Sequence, residues 1–320
     1  MNCYYAIDSK FLWMAVLRVD RLDLNLLAAL DVLIETQSVT ETARQLNLSQ
    51  PTVSAALARL RHYFGDDLLQ QIGRRMVVTQ KARELSPAIK EMLAIVKFRI
   101  AHAEEFDPAS STRRFTLVAS DYAFDVFLAE VLRQAECLAP GVVFEIASPG
   151  PQRVRQFRDG DIDLLITVSD YLVEDHPHEL LYTDEDAAIC WDQGIYADGI
   201  DAEQFLAASH AVAVFGQEQM PTVTEIHYAA TGIDRHIAVR VPSFAALPRA
   251  VIGTNRVATL HRRHAEMFAQ HLPIRIHPLP IKGPLIDEIM QWHRQRQTDA
   301  GLQWLLGLLR RVGKRMTLTS

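Results

Sequence analysis

Cysteine is scarce in this chain. Cys3, Cys137 and Cys190 are its complement among 320 residues and no two lie close in sequence, which argues against a disulfide framework and a cysteine-rich zinc site and suits a reducing cytosol. Long apolar runs are missing as well, since none approaches the roughly 20 residues that cross a bilayer. The nearest, FLWMAVL at 11–17, is short, lacks a small-residue cleavage site and runs straight into Arg18, Asp20 and Arg21, so neither export nor membrane insertion is expected. Met14 lies six residues before Asp20, and residues 1–20 read as an N-terminal extension, with 1–13 as upstream sequence from a misplaced start.

Enzyme signatures are absent too. There is no Gly-x-Ser-x-Gly elbow, no phosphate-cradling P-loop and no Gly-x-Gly-x-x-Gly fingerprint. His261 and His264 have the spacing to share a helix face, but a metal needs more ligands and Arg262 and Arg263 beside them repel a cation. Asp161 and Asp163 stand at alternate positions at a strand entrance, where turn and cap roles outweigh acid–base work. An enzyme is not expected, and neither a metal nor a cofactor is called for.

What remains is ordinary globular composition: 49% apolar, 22% charged, net charge −6, enough chain for two or three domains with cores. Net acidity opposes nucleic acid, but the charge is regional. Between residues 38 and 83 stand Arg44, Arg59, Arg61, Arg74, Arg75, Lys81 and Arg83 against Glu41, Asp66 and Asp67, a local excess of +4.

That basic stretch is organised as two short helices and a tight turn. Ser38 with Glu41 three residues on reads as a capping box. Ala43 and Leu46 point inward, and Asn47 suits the left-handed conformation that ends a helix. Ser49 is the next cap and Pro51 sits in the first turn, where a missing amide hydrogen costs nothing. Val53, Leu57 and Leu60 form the inward stripe; the opposite face carries Pro51, Thr52, Ala55, Ala58, Arg59 and His62, flanked by Gln50 and Ser54. This face has no acidic group. Small and hydrogen-bonding residues with cations beside them are what a helix entering a major groove needs. A leucine-rich helix from Asp23 to about Gln37 supplies the floor, and Gly73-Arg74 reads as the tip of a hairpin that places Arg74 and Arg75 at the phosphate backbone or in the minor groove.

Residues 21–105 resemble the N-terminal module of LysR-type transcriptional regulators. The likeness is carried by Leu24-Asn25-Leu26-Leu27, Ser38-Val39-Thr40, Ala43-Arg44-Gln45-Leu46, Leu48-Ser49-Gln50-Pro51-Thr52-Val53-Ser54, Leu57-Ala58-Arg59-Leu60 and Phe64-Gly65-Asp66. It implies a winged helix-turn-helix at 21–79, with Gln50, Pro51 and Ser54 on bases and Thr52 and Arg59 on phosphate. Ala55 departs from the arginine many members carry, so one base contact is absent or replaced by a thymine methyl. The wing reads Leu68-Leu69-Gln70-Gln71 in place of an aromatic and an arginine, which puts one backbone contact in doubt.

Residues 80–105 read as a linker helix, with Leu85, Ile89, Met92, Val96 and Ile100 near heptad spacing and Pro87 expected to kink it or delay its start. The resemblance implies that it pairs with its own copy, giving dimers or tetramers that place two recognition helices on two half-sites. A polar hinge loop at 106–114 ends the first half.

From 115 the order is β-α-β-α-β: strands FTLVA, VVFEIA and IDLLIT, with Ser120-Asp121 capping the first helix and 148–150 turning into the second. This predicts an open, largely parallel sheet whose ligands bind beyond the carboxyl ends of the strands. A second alternating segment predicts another α/β lobe: lobe I at about 115–181 and 261–312, lobe II at about 182–260, and a tail at 313–320. This half also resembles the LysR-type effector domain, whose fold is of periplasmic-binding-protein type, through Gly160-Asp161-Ile162-Asp163-Leu164, 241–248 (VPSFAALP), Gly253-Thr254 and Ala258-Thr259-Leu260. Trp292-His293 and Trp304-Leu305 look like the branch of nodulation and aromatic-catabolism regulators. The resemblance implies a small-molecule effector, an aromatic or small organic acid, touched by Ser120, Ser148, Thr167, Ser243 and Phe244, and a cytoplasmic regulator that binds promoter DNA and contacts RNA polymerase.

Overall fold

A computed structural model describes residues 23–73, 75–96 and 106–318. The expectations for the extension at 1–20, for Arg74 and for Ile100 with the rest of 97–105 lie outside these residues. The chain divides into two units, 1–101 and 102–320.

The first unit opens with helix α1, Leu24–Thr36. Asp23 caps it by accepting the Asn25 amide at 2.9 Å, and Gln37 ends it with φ +50°. Helix α2, Val39–Gln45, is capped by Ser38, whose hydroxyl accepts the Glu41 amide at 3.2 Å. The reciprocal half of the expected capping box is not made. The Ser38 amide donates to the Thr36 hydroxyl, and the Glu41 carboxylate takes the Arg44 guanidinium instead, a charged donor that outcompetes an amide. Asn47 turns the chain at φ +53°, and helix α3, Gln50–Phe64, follows from its cap Ser49 and stops at Gly65, φ +62°. Val53, Leu57 and Leu60 are buried, each stabilising the unit by roughly 1.5–3 kcal/mol.

Strands β1, Leu69–Ile72, and β2, Arg75–Val78, form the wing, with Ile72 opposite Arg75 and Gly73 at φ +64° in the two-residue turn. Helix α4, Gln80–Ile95, begins seven residues before Pro87 and continues through it, so the proline neither delays the start nor ends the helix. Its predicted dimer stripe is in part an internal face: Leu85, Ile89 and Met92 pack on the core of their own unit. A unit this small cannot leave the open side of α1 uncovered.

The second unit is a ten-stranded sheet system in two lobes. Strand β3, Arg114–Val118, leads through Ser120 into a helix that passes from Asp121–Ala123 through a π-helical turn, Phe124–Leu128, into α5, Ala129–Leu138. Strand β4, Val143–Ala147, helix α6, Pro151–Arg158, and strand β5, Leu164–Val168, complete the predicted β-α-β-α-β run, β3 lying parallel to both β4 and β5. Strand β6, His178–Trp191, then crosses between the lobes. Lobe II adds α7, Ala202–Ala207; β7, Ser209–Phe215; β8, Met220–Pro221; α8, Val223–Ala230; β9, His236–Val241; α9, Leu247–Val251; β10, Arg256–His261; and α10, Arg262–Ala269.

Strand β11, Ile274–Pro278, pairs with the second half of β6, so it stays in lobe II; the boundary expected at 261 moves to about 278. Strand β12, Leu285–Trp292, makes the return, antiparallel between β5 and the first half of β6. Helix α11, Ala300–Leu318, runs on through the residues expected to be a tail, because Leu302, Leu305, Leu306, Leu309 and Val312 carry one apolar stripe against the lobe I core.

Candidate nucleic-acid interface and effector cleft

The helix α3 face opposite its buried stripe is open. Gln50, Pro51, Thr52, Ser54, Ala55, Ala58, Arg59 and His62 are all exposed. Thr52 shares its hydroxyl with Ser49 at 2.7 Å while its amide donates to the same cap, so this residue also stiffens the helix start. Arg75 is exposed beside the wing turn.

Two arginines of the basic stretch have internal work that its charge count did not reveal. Arg61 donates to the carbonyl oxygens of Asp67 (2.8 Å) and Leu69 (2.7 Å), and Arg83 donates to that of Val78 (2.6 Å). The wing is therefore pinned at both strands. Asp66 supports it from below, accepting the Thr79 hydroxyl at 2.6 Å and the Leu68 amide at 2.7 Å, bonds that hold its carboxyl below the usual range. Leu68, fully buried at φ +59°, needs that support. The unusual Leu68-Leu69 pair thus belongs to the core, not to the DNA-facing surface.

In the second unit a cleft of about 820 Å³, counted out to its open mouth, lies between the lobes. Its walls are apolar, with Val118, Leu165, Phe215, Met220, Phe244 and Ile286 among them. Helix starts line it at Ser120, at Gly150 before α6 and at Thr222 before α8, and Arg153 joins them. Such starts favour partial negative charge on a ligand. Across the cleft the Tyr171 hydroxyl donates to the Pro221 carbonyl at 2.7 Å, a bond that joins lobe I to lobe II.

The structure brings Ser120, Thr167 and Phe244 to the cleft but not Ser148 or Ser243. Ser148 is exposed, because the chain turns there and presents Pro149 and Gly150 instead; Ser243 is half-buried one residue ahead of the inward Phe244. The Ser120 hydroxyl is a cap, accepting the Ala123 amide at 3.1 Å.

The cleft floor was not foreseen. Glu288 of β12 and His261 of β10 line it, both buried. The His261 Nδ1 lies 2.7 Å from Asp186, which also accepts the Thr224 hydroxyl. Burial by itself would depress His261, but Asp186, joined by Glu288 and Asp184, more than offsets it and the imidazole titrates above its ordinary value. Glu288 is raised as well: burial, aided by Asp184 and opposed by His261, lifts its carboxyl to about 7. A glutamate inside the apolar strand LIDEIMQW, in phase with buried Ile286, was the available signal. His261 and His264 serve separate carboxylates, Asp186 and Asp125, and among the described residues no cluster of three metal-ligating side chains forms. Asp163 has a structural task, accepting the Thr116 amide at 2.7 Å and pairing with Arg113 and Arg296.

Both halves match known families. Residues 24–83 match the bacterial regulatory helix-turn-helix protein, lysR family, and residues 108–314 match the LysR substrate binding domain. The chain belongs to the LysR family of transcriptional regulators. Among curated relatives of this LysR-family regulator, Nodulation protein D 1 of Rhizobium meliloti is 36% identical over 301 residues, covering 94% of this chain and 98% of the relative. Nodulation protein D 2 of Rhizobium tropici is 36% identical over 294 residues, covering 92% and 93%. A crystal structure of a probable transcriptional regulator from Pseudomonas aeruginosa is 27% identical, covers 92% of this chain and 98% of its own, and superposes with a TM-score of 0.61. Full-length OxyR from the same organism, 16% identical over 90% of this chain and 95% of its own, shares the fold at a TM-score of 0.66. The regulator is thus an N-terminal helix-turn-helix joined to a two-lobed α/β substrate-binding domain, the architecture of a DNA-binding transcription factor that answers to a small molecule, not of an enzyme. No helix among the described residues is long and apolar enough to cross a membrane.

Proposed function

We propose that this regulator reads promoter DNA in the cytoplasm as a homodimer or tetramer, with Gln50, Pro51 and Ser54 at base edges and Thr52, Arg59, Arg74 and Arg75 toward phosphate, and that an organic molecule in the interlobe cleft alters its hold on DNA or its contact with RNA polymerase. The observation that supports this most is the cleft itself: apolar walls, three helix starts and Arg153 converging between lobes held by the Tyr171–Pro221 bond. Apolar walls suit an aromatic body, and the helix starts suit a carbonyl or carboxylate at the mouth. Such a ligand acts only through different affinities for the two lobe arrangements.

The test is a footprint on DNA upstream of the protein's own gene, at about 150 mM salt with excess random competitor, where non-specific binding has faded. Two protected patches on one face of the duplex, altered by a cleft ligand, are expected. Protection unchanged by every ligand that raises the melting temperature would remove the effector reading, while no selectable DNA site at all would remove the regulator reading.

A further inference from the structure

The apolar cleft ends on an unmet acceptor. Glu288 is 3% exposed, lines the cleft floor, and its Oε2 has no hydrogen-bond partner among the described residues. Its placement follows from strand alternation: β12 keeps one register against β5 through this stretch, and the slip in its ladder with β6 comes from an extra residue, Leu181, on β6. Ile286 and Glu288 share the cleft face, and two residues further on Met290 packs into the lobe I core. A buried carboxyl without a donor is costly, and the cost is relieved by whatever brings one.

We propose that Glu288 selects the effector: it receives an O–H or N–H donor carried on the ligand's inner end, and a ligand carboxylate is turned away from that end. This rests on the cleft being the effector site. It refines the acid expected from the sequence, because an anionic group then belongs only at the mouth, with Arg153 and the helix starts.

The charges around Glu288 carry the argument. From β6 come Asp184 and Asp186, together with Tyr182; from β10 comes His261; from the helical segment Asp121–Ala123 after β3 comes Tyr122, whose hydroxyl donates to Asp184 at 2.7 Å. Burial is what holds the Glu288 carboxyl up; His261, paired with Asp186, opposes it and Asp184 adds to it. A ligand carboxylate there would add a second anion and force Glu288 to keep its proton. A hydroxyl or ammonium instead lets Glu288 ionise and forms a charge-assisted bond. Burial holds the free carboxyl near 7, so a donor ligand binds more tightly as pH rises through that value and a carboxylate ligand less tightly.

The experiment uses the full chain and a panel of compounds with naphthalene or biphenyl bodies, each made as primary alcohol, primary amine and carboxylate. Binding is followed by ligand-observed NMR at about pH 6 and about pH 8, a unit either side of the carboxyl's midpoint. Cleft binders are those lost in Gly150→Trp, where the backbone is extended and an added Cβ meets nothing within 4 Å. Expected are cleft binders drawn from alcohols or amines, about tenfold to a hundredfold weaker in Glu288→Leu and tighter at the higher pH in the wild-type chain. Glu288→Gln, which keeps the shape and an acceptor, should hold the alcohols and lose the pH dependence. The two donor arms tell a hydroxyl ligand from an ammonium one. Carboxylates binding the cleft as well as their alcohols, or Glu288→Leu binding unchanged, would overturn the proposal and leave the cleft standing. A panel with no cleft binder would overturn both.

Discussion

At Glu288 one residue is linked to the stability of its whole domain. Its carboxyl titrates near 7 when folded and near 4.5 when free, so between these values the native state holds more protons than the unfolded one. Stability then falls as pH rises from about 4.5 to 7 and stays reduced above. Glu288→Gln should abolish that fall and be the more stable form at pH 8, by up to about 3 kcal/mol at 1.36 kcal/mol per unit. Denaturant melts of both proteins across that range would show it, and parallel curves would mean the carboxyl is not perturbed. Asp299 has the opposite sign. Burial would raise it, but Arg113, the Leu302 amide and Arg296 together hold it at about 2, a contribution present at neutral pH and lost as pH falls through that value. On the DNA-binding unit, Gln50→Ala or Ser54→Ala should cost about 1–3 kcal/mol on the specific site. Arg75→Ala should instead weaken all DNA alike and lower the salt slope by about one. Equal losses on specific and random DNA for all three would place the reading face elsewhere.

At the scale of elements, each unit depends on close approaches that a charge or hydropathy count does not reveal. Helix α11 crosses β6 so tightly that a Cβ at Gly313 would stand 2.9 Å from the Leu181 carbonyl, a backbone atom that cannot swing away. Gly313→Ala should therefore destabilise the effector domain by about 1–3 kcal/mol despite its better helix propensity, measurable as a drop in melting temperature. The wing is held by Arg61 reaching two carbonyls, so Arg61→Ala should loosen amide protection at Leu69–Ile72 and reduce DNA binding without the loss of a DNA contact. Tyr171→Phe removes the hydroxyl that ties lobe I to Pro221, and faster hydrogen exchange confined to the cleft rim is the expected result.

For the whole molecule, the division into two units means that binding DNA and binding a ligand are carried by separate cores. A self-associating regulator should show mass-dependent sedimentation and a footprint of two half-sites. Within the described part of α4, Leu85, Ile89 and Met92 are committed to their own unit, so substituting them should unfold the helix-turn-helix and not merely split a dimer. Monomeric but folded Leu85→Ala protein would reverse that assignment.

The sequence alone determined the local devices. Asp23, Ser38, Ser49 and Ser120 are caps as their spacing indicates, Val53, Leu57 and Leu60 are buried as their periodicity requires, and the two-residue turn of the wing follows from its glycine. These are short-range matters, fixed by hydrogen bonds and side-chain spacing within a few residues. Tertiary structure decided what depends on distant partners. Glu41 turned to Arg44, β11 paired with β6 inside lobe II, and the supposed tail became the last turns of α11. The cleft floor belongs to this second kind: Glu288, His261, Asp184 and Asp186 are separated by up to about a hundred residues in the chain, and only strand pairing sets them together. Their charges and protonation follow from burial, which no local pattern specifies.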